Sequence, residues 1–328
     1  MNKNIQTERR PLPIGYQAFA NLRNEGCYYV DKTPLIREMI QQGRFYFLSR
    51  PRRFGKSLLV STLKELFEGN EPLFRGLDIH PHWDWSVQYP VVRLTLDGKV
   101  STPEFIEANI LNQLQDIELA FDLKSLPPFT DSANRLRSIL SHLHQATGQQ
   151  VVVLADEYDK PVLDVLEDEE KARVNRDCLR EIYSIIKSSE DHIRFVFVIG
   201  ITMFSKTSFS SGLNNLTNIS LSPRYATICG YTDHDLDTVF APELEGLDRD
   251  KIRIWYKGYH WLGTEKLYNP HDILHLFYVR KYTGYWFQPG EPSYLYRLLE
   301  QNKVSPMQLE NRAVVASSVS KFELDKFS

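Results

Sequence analysis

The stretch FYFLSRPRRFGKSLLVSTL, from Phe45 to Leu63, narrows the choice of folds more than any other part of the chain. A run of β-forming residues crosses a Pro-and-Arg turn and enters a helix through Gly55-Lys56-Ser57. A phosphate-binding loop needs backbone N–H groups that converge on an anion, a helix that begins there with its positive dipole end, and a lysine that reaches the terminal phosphates. A Ser or Thr directly after the lysine then coordinates Mg²⁺. The pattern G-x-x-x-x-G-K-[ST] is met at every fixed position except the first, where Arg50 stands. That first glycine eases the turn, whereas the anion is met by the later donors from Arg53 through Ser57. Pro51 removes a donor only where the loop starts. The expected nucleotide-binding residues are Arg52, Arg53, Phe54, Gly55, Lys56, Ser57 and Leu58. The competing reading is a surface turn in front of a helix.

About 100 residues after Lys56, the segment VVVLADEYDKPVL (151–163) ends a β-branched run in adjacent carboxylates, Asp156 and Glu157. This is the second half of such a site. Asp156 is expected to hold Mg²⁺ together with Ser57, and Glu157 to orient or deprotonate the attacking water. A carboxylate at the carboxyl end of a parallel strand lies in the crevice where open α/β sheets bind ligands. A later strand, FVFVIGIT, brings Thr202 to the same edge as a sensor of the γ-phosphate; a hydroxyl that merely caps the strand end is the alternative. Lys206 and Arg224 have weaker claims as phosphate contacts.

The rest of the pattern supports that placement. Phe45–Leu48, Pro90–Leu96, Val151–Leu154 and Ile193–Ile201 are near-continuous apolar runs suited to parallel strands covered on both faces, with Ile219–Leu221 a weaker fifth. Tyr28-Tyr29-Val30 is a possible short strand, and a helix start follows at Asp31-Lys32-Thr33-Pro34. Helical spacing predicts helices over Ser57–Phe67, Thr102–Phe121, Ala133–Leu143 and Glu167–Lys187. Strand alternating with helix predicts an α/β fold with a mainly parallel sheet flanked by helices. After Gly230 the chain turns aromatic-rich and mostly helical, and Thr232 is placed to cap a helix. The expected division is a core over residues 1–230 and a smaller helical, lid-like domain over 231–328.

Composition excludes several classes. The 328 residues are 42% hydrophobic and 25% charged, with a net charge of −3, which is the profile of a folded soluble protein and not of a polybasic nucleic-acid binder. Cys27, Cys178 and Cys229 are odd in number and far apart, form no metal pattern and suit a reducing, cytoplasmic compartment. The N-terminus lacks an apolar signal core, and no apolar run reaches the ~20 residues of a membrane span. No G-x-S-x-G occurs, and His142 and His144 are read as surface residues of one helix.

With these segments in place, the chain resembles the AAA-ATPase-like family of bacterial and archaeal P-loop ATPases. The resemblance is carried by YYVDKTPLI (28–36), FLSRPRRFGKSLL (47–59), LADEYDKPV (154–162) and FSSGLNNLTNISLSPRYATICGYT (209–232). WYKGYHW (255–261), LYNPHDIL (267–274) and YWFQPGEPSYL (285–295) continue it. It implies a P-loop NTPase fold, ATP and Mg²⁺ as ligands, and Arg50 as a variant usual in the family. Lys56, Ser57, Asp156 and Glu157 match the family's nucleotide, metal and acidic positions. Asn218, Lys257 and His260 depart from the acidic residue and the W-Y-D-G-Y-R pattern of relatives. Many relatives continue into a nuclease-like domain of the PD-(D/E)XK type, of which no carboxylate–carboxylate–lysine constellation is found here. The residues and the resemblance together lead to the expectation of a Mg²⁺-dependent ATPase with Glu157 and Lys56 in catalytic roles, joined by Thr202 on its place at the strand end alone, moving or controlling a partner or effector. The alternatives are a nucleotide-sensing switch or scaffold with negligible turnover, and a nucleic-acid-binding module using Arg50, Arg52, Arg53 and the C-terminal aromatics. A homo-oligomer and a nuclease-like effector are the partners considered.

Overall fold

Each of the four strong apolar runs becomes a strand, and together they form one parallel array. The computed structural model describes residues 8–123, 131–202, 215–262 and 265–285. Strands β1 (Phe45–Ser49), β2 (Val91–Thr95), β3 (Val151–Asp156), β4 (Ile193–Gly200) and the short β5 (Thr217–Asn218) make a five-stranded sheet in the order β2-β3-β4-β1-β5. The β2–β3, β3–β4 and β4–β1 pairs are parallel. The α-helices described ahead of β4 are, in chain order, α1 (Phe19–Asn24), α2 (Thr33–Gln42), α3 (Lys56–Phe67), α4 (Pro103–Ala120), α5 (Ser132–Thr147), α6 (Lys160–Leu163) and α7 (Glu169–Ser188). The result is the α/β core that the alternating pattern requires.

By contacts the described residues fall into two units. One takes in those within Met1–Gly43, Arg50–Gln88 and Asn218–Gly290; the other takes in those within Arg44–Ser49 and Tyr89–Thr217. This grouping cuts the chain differently from a single boundary near residue 230.

The sheet unit is built on strands buried on both faces. Every residue of β3 is buried, which explains why its sequence does not alternate. Val92, Leu94, Val153, Val196 and Val198 form a core with Ile110 and Leu114 of α4, Leu136, Ile139 and Leu140 of α5, and Leu179, Ile182 and Ile186 of α7. Thr102, Asp131 and Asp168 each accept a first-turn N–H with their side chains, starting α4, α5 and α7, and such a cap contributes about 1 kcal/mol. The parallel register pairs Ser49 with Gly200 and Thr95 with Asp156, so the four strands end along one edge of the sheet. β4 lies between the strand that feeds the loop and the strand that ends in Asp156.

The other unit joins the N-terminal segment to the residues after 230. Tyr28 and Val30 share a cluster with Leu236, Phe240, Ile252, Tyr268, Ile273 and Phe277. Helices Asp233–Thr238, Arg249–Tyr256 and Pro270–Val279 and an antiparallel pair, Lys257–Tyr259 with Leu267–Tyr268, make up most of the described chain beyond Gly230. Thr232 does cap, in a reciprocal box with Asp235.

Several local expectations shift. Tyr28–Val30 is not in a strand. The weak strand lies at Thr217–Asn218 instead of 219–221, because the Asn218 side chain accepts the Ser220 N–H at 2.9 Å and turns the chain away. His142 and His144 are partly exposed on α5, where His142 Nδ1 lies 2.8 Å from the Ser138 carbonyl and His144 Nδ1 3.0 Å from His192 Nδ1. Lys206 and the segment from residue 286 onward lie outside the described residues. Among the described residues no helix is long and apolar enough to cross a membrane.

Candidate functional site

The loop follows β1 without a break and ends in α3. Its backbone is left-handed at Arg53 (φ 62°) and Gly55 (φ 85°), while Phe54 between them is not. Alternation of this kind turns successive N–H groups toward one concave side, the geometry of an anion nest. Left-handed backbone is unfavourable for an arginine, by about 1–3 kcal/mol, so neighbouring contacts must hold it. The Phe54 ring is fully buried, edge-on to Tyr259 at 4.8 Å and Trp261 at 5.1 Å. Gly230 (φ 87°) leaves the room that this ring needs, since a Cβ there would come within 2.5 Å of it. The exposed Arg53 guanidinium lies 3.1 Å from His271 Nδ1.

Helix α3 starts at Lys56 on a glycine cap, which offers its first turn no side chain, and the turn holds no acidic residue. The first N–H groups of a helix need a partner from outside, and an anion is the partner that the dipole favours. Lys56 is 8% exposed and its Nζ donates to the Pro51 carbonyl at 3.0 Å, which folds the ammonium back over the loop. Ser57 and Leu58 are half-buried in the same turn, and Arg52 is exposed.

Arg50 has another task. It is 1% exposed, donates to the Ser220 carbonyl at 2.9 Å and the Tyr225 carbonyl at 3.0 Å, and lies 4.4 Å from the centre of the Trp261 ring. Burial pushes its pKa down to about 10, which still leaves it a cation at neutral pH. The residue that replaces the motif's first glycine is thus a structural tie.

In the sheet unit, Asp156 and Glu157 end β3 at the carboxyl edge. Asp156 is 1% exposed; one of its oxygens accepts the Glu157 N–H at 3.0 Å, and the other, Oδ2, is buried without a hydrogen bond. Glu157 is left-handed (φ 52°) and half-buried, at a sharp bend off the strand. Thr202, at the exit from β4, donates its hydroxyl and its N–H to Asp159 Oδ2, each at 2.6 Å, and the Ile201 N–H donates to the same oxygen at 2.9 Å. The Tyr158 hydroxyl donates to the Thr202 carbonyl at 2.9 Å. Asp156, Glu157 and Thr202 are therefore brought together through the short turn Glu157–Asp159.

Three residues here escape the sequence reading. Asp159 is fully buried, and burial raises its pKa against the hydrogen bonds from Thr202 and Ile201. Its signal is the third acid in ADEYD. Arg93 lies on β2 with Nη2 3.8 Å from Asp156 Oδ2, and its signal is a lone charge inside PVVRLTL. Asp272 is 2% exposed beside the Arg53–His271 contact, within the quoted LYNPHDIL. Among the described residues no group of His, Cys, Asp and Glu could hold a metal by itself.

The family model described as "Predicted AAA-ATPase" matches residues 13–210. A protein of Azotobacter chroococcum mcd 1, described as an uncharacterized protein in the vnfD 5' region, is 49% identical over 324 residues. The match covers 98% of this chain and 62% of that protein, so the chain spans less than two thirds of the curated relative's length. No solved structure matches the chain.

Proposed function

The chain belongs to the predicted AAA-ATPase family, and from that premise we propose that it is a Mg²⁺-dependent ATPase whose turnover moves or controls a partner or effector. The loop carries this reading: left-handed Arg53 and Gly55 run straight into a helix that is capped by glycine and has no acidic residue in its first turn. In the proposed roles, the N–H groups from Arg52 to Leu58 cradle the phosphates and Lys56 meets the β and γ oxygens. Glu157 holds the attacking water, and Thr202 senses the γ-phosphate when its hydroxyl turns from Asp159, to which it donates in this structure, to a phosphate oxygen. Ser57 and Asp156 are the residues that would hold Mg²⁺. The fit is supported by Asp156 Oδ2, a buried oxygen with no hydrogen bond to lose. Once bound, the ion supplies charge neutralisation on the transferring phosphoryl group. The preference for adenine rests on the family. We further propose an ATPase core over residues 1–230 with a lid-like region over 231–328, and a second copy or a nuclease-like effector as partner.

The test is calorimetric titration of ATP with Mg²⁺ alongside phosphate release. Lys56→Ala is expected to abolish binding. Glu157→Gln is expected to bind ATP and to lose roughly 10²–10⁴-fold in turnover, the range for a positioned general base. A wild-type chain that binds no ATP overturns the proposal.

A switch with negligible turnover is the second reading. It is favoured by Arg224, one of the weaker phosphate-contact candidates, whose Nε is engaged by Glu38 at 3.2 Å. ATP that stays intact on the wild-type chain would select it. The nucleic-acid reading loses much of its support, because Arg50 is buried and Tyr259 and Trp261 pack on Phe54.

A further inference from the structure

We infer that Arg93 is the internal counter-cation of Asp156, neutralising the carboxylate before nucleotide binds and competing there with Mg²⁺. The inference rests on the proposed role of Asp156 as a metal ligand. The parallel register sets Arg93 beside Leu154 and Thr95 beside Asp156, so the arginine lies one pleat below the carboxylate on the neighbouring strand. Its Nη2 is 3.8 Å from Asp156 Oδ2, close enough for an ion pair and too far for a hydrogen bond. Each side chain keeps a buried polar atom without a hydrogen-bond partner, Nε on Arg93 and Oδ2 on Asp156. The carboxylate is thus neutralised in charge yet open to ligation. A tight bidentate pair would have satisfied both groups and removed that oxygen from use.

A guanidinium does not discharge by losing a proton, so its charge opposes an arriving cation at every working pH. The attraction that steadies Asp156 in the empty protein becomes repulsion once Mg²⁺ reaches the same oxygen. The Arg93 side chain is 30% exposed against 1% for Asp156, which gives the guanidinium an outlet toward solvent while the carboxylate stays in place.

The experiment titrates MgCl₂ into the full chain saturated with a non-hydrolysable ATP analogue, by calorimetry, for wild type, Arg93→Gln and Arg93→Lys. Nucleotide affinity in EDTA and thermal unfolding are measured on the same samples. Arg93→Gln is expected to bind Mg²⁺ roughly tenfold tighter with its EDTA affinity unchanged, and Arg93→Lys to restore the wild-type value. Where the glutamine variant does not fold, Arg93→Met keeps the stem packing and carries the same expectation. Equal Mg²⁺ affinity in the neutral variants and wild type overturns the inference alone. A loss of EDTA affinity also overturns it, by making Arg93 a phosphate ligand. A wild-type chain whose binding ignores Mg²⁺ removes the metal role of Asp156 and the inference together.

Discussion

Arg50 stands where the loop motif begins with glycine, and its side chain explains the replacement. Its guanidinium satisfies two buried carbonyls, at Ser220 and Tyr225, and covers the Trp261 ring. A buried carbonyl left without a donor costs about 1–3 kcal/mol. Restoring the motif's glycine is therefore expected to harm the protein: Arg50→Gly should lower unfolding free energy by on the order of 3 kcal/mol, read from urea denaturation. An unchanged midpoint and slope would refute the structural role of this arginine. Gly200 shows the same dependence on close neighbours. A Cβ there would come within 2.5 Å of the Tyr158 ring and closer still to Asp159 Oδ1, so the strand end that leads to Thr202 tolerates no side chain.

Helix Pro270–Val279 acts on the loop as an element, because its first turn carries His271 and Asp272 and its second His275. Burial, with the charges of Arg53 and His275, pushes the His271 pKa down to about 4. Burial pushes Asp272 up to about 6, although Arg53 pulls it the other way. The two groups work against each other. Folded His271 holds fewer protons than unfolded His271 between pH 6.5 and about 4, so its contribution to stability falls as pH drops through that window. Folded Asp272 holds more protons than unfolded Asp272 between the ordinary carboxylate range and about pH 6, so its contribution rises as pH drops. Relative to wild type, Asp272→Asn should steepen the loss of stability on acidification from pH 6.5 to 4, and His271→Gln should reduce it. Denaturation midpoints at closely spaced pH values check both signs; parallel curves for the three proteins would exclude the opposition.

At the scale of the whole molecule, a ligand that binds only the folded chain raises its stability by RT ln(1 + [L]/Kd), about 2.7 kcal/mol at a hundredfold excess over Kd. Scanning calorimetry with MgATP should therefore raise the unfolding temperature of wild type by several degrees, and leave Lys56→Ala where it is without nucleotide. A shift of equal size in both would place the nucleotide away from the loop. Residues 13–210, which the family model matches, contain the loop, the acidic pair and Thr202.

The amino-acid order alone determined the alternation of strand and helix, the entry of β1 into a loop and α3, and the ending of β3 in adjacent carboxylates. Those features are written in short-range pattern: apolar runs, helical spacing, capping residues and a glycine that takes up left-handed backbone at Gly55. Tertiary structure decided where the charged side chains went. Arg50 meets a carbonyl 170 residues away, Thr202 meets Asp159 across 43, and Arg93 meets Asp156 from a neighbouring strand. It also joined Tyr28 and Val30 to the cluster beyond residue 230, and left them outside any strand. The physical reason is that a side chain's partners are set by which distant segments pack together, and local propensity holds no record of that choice.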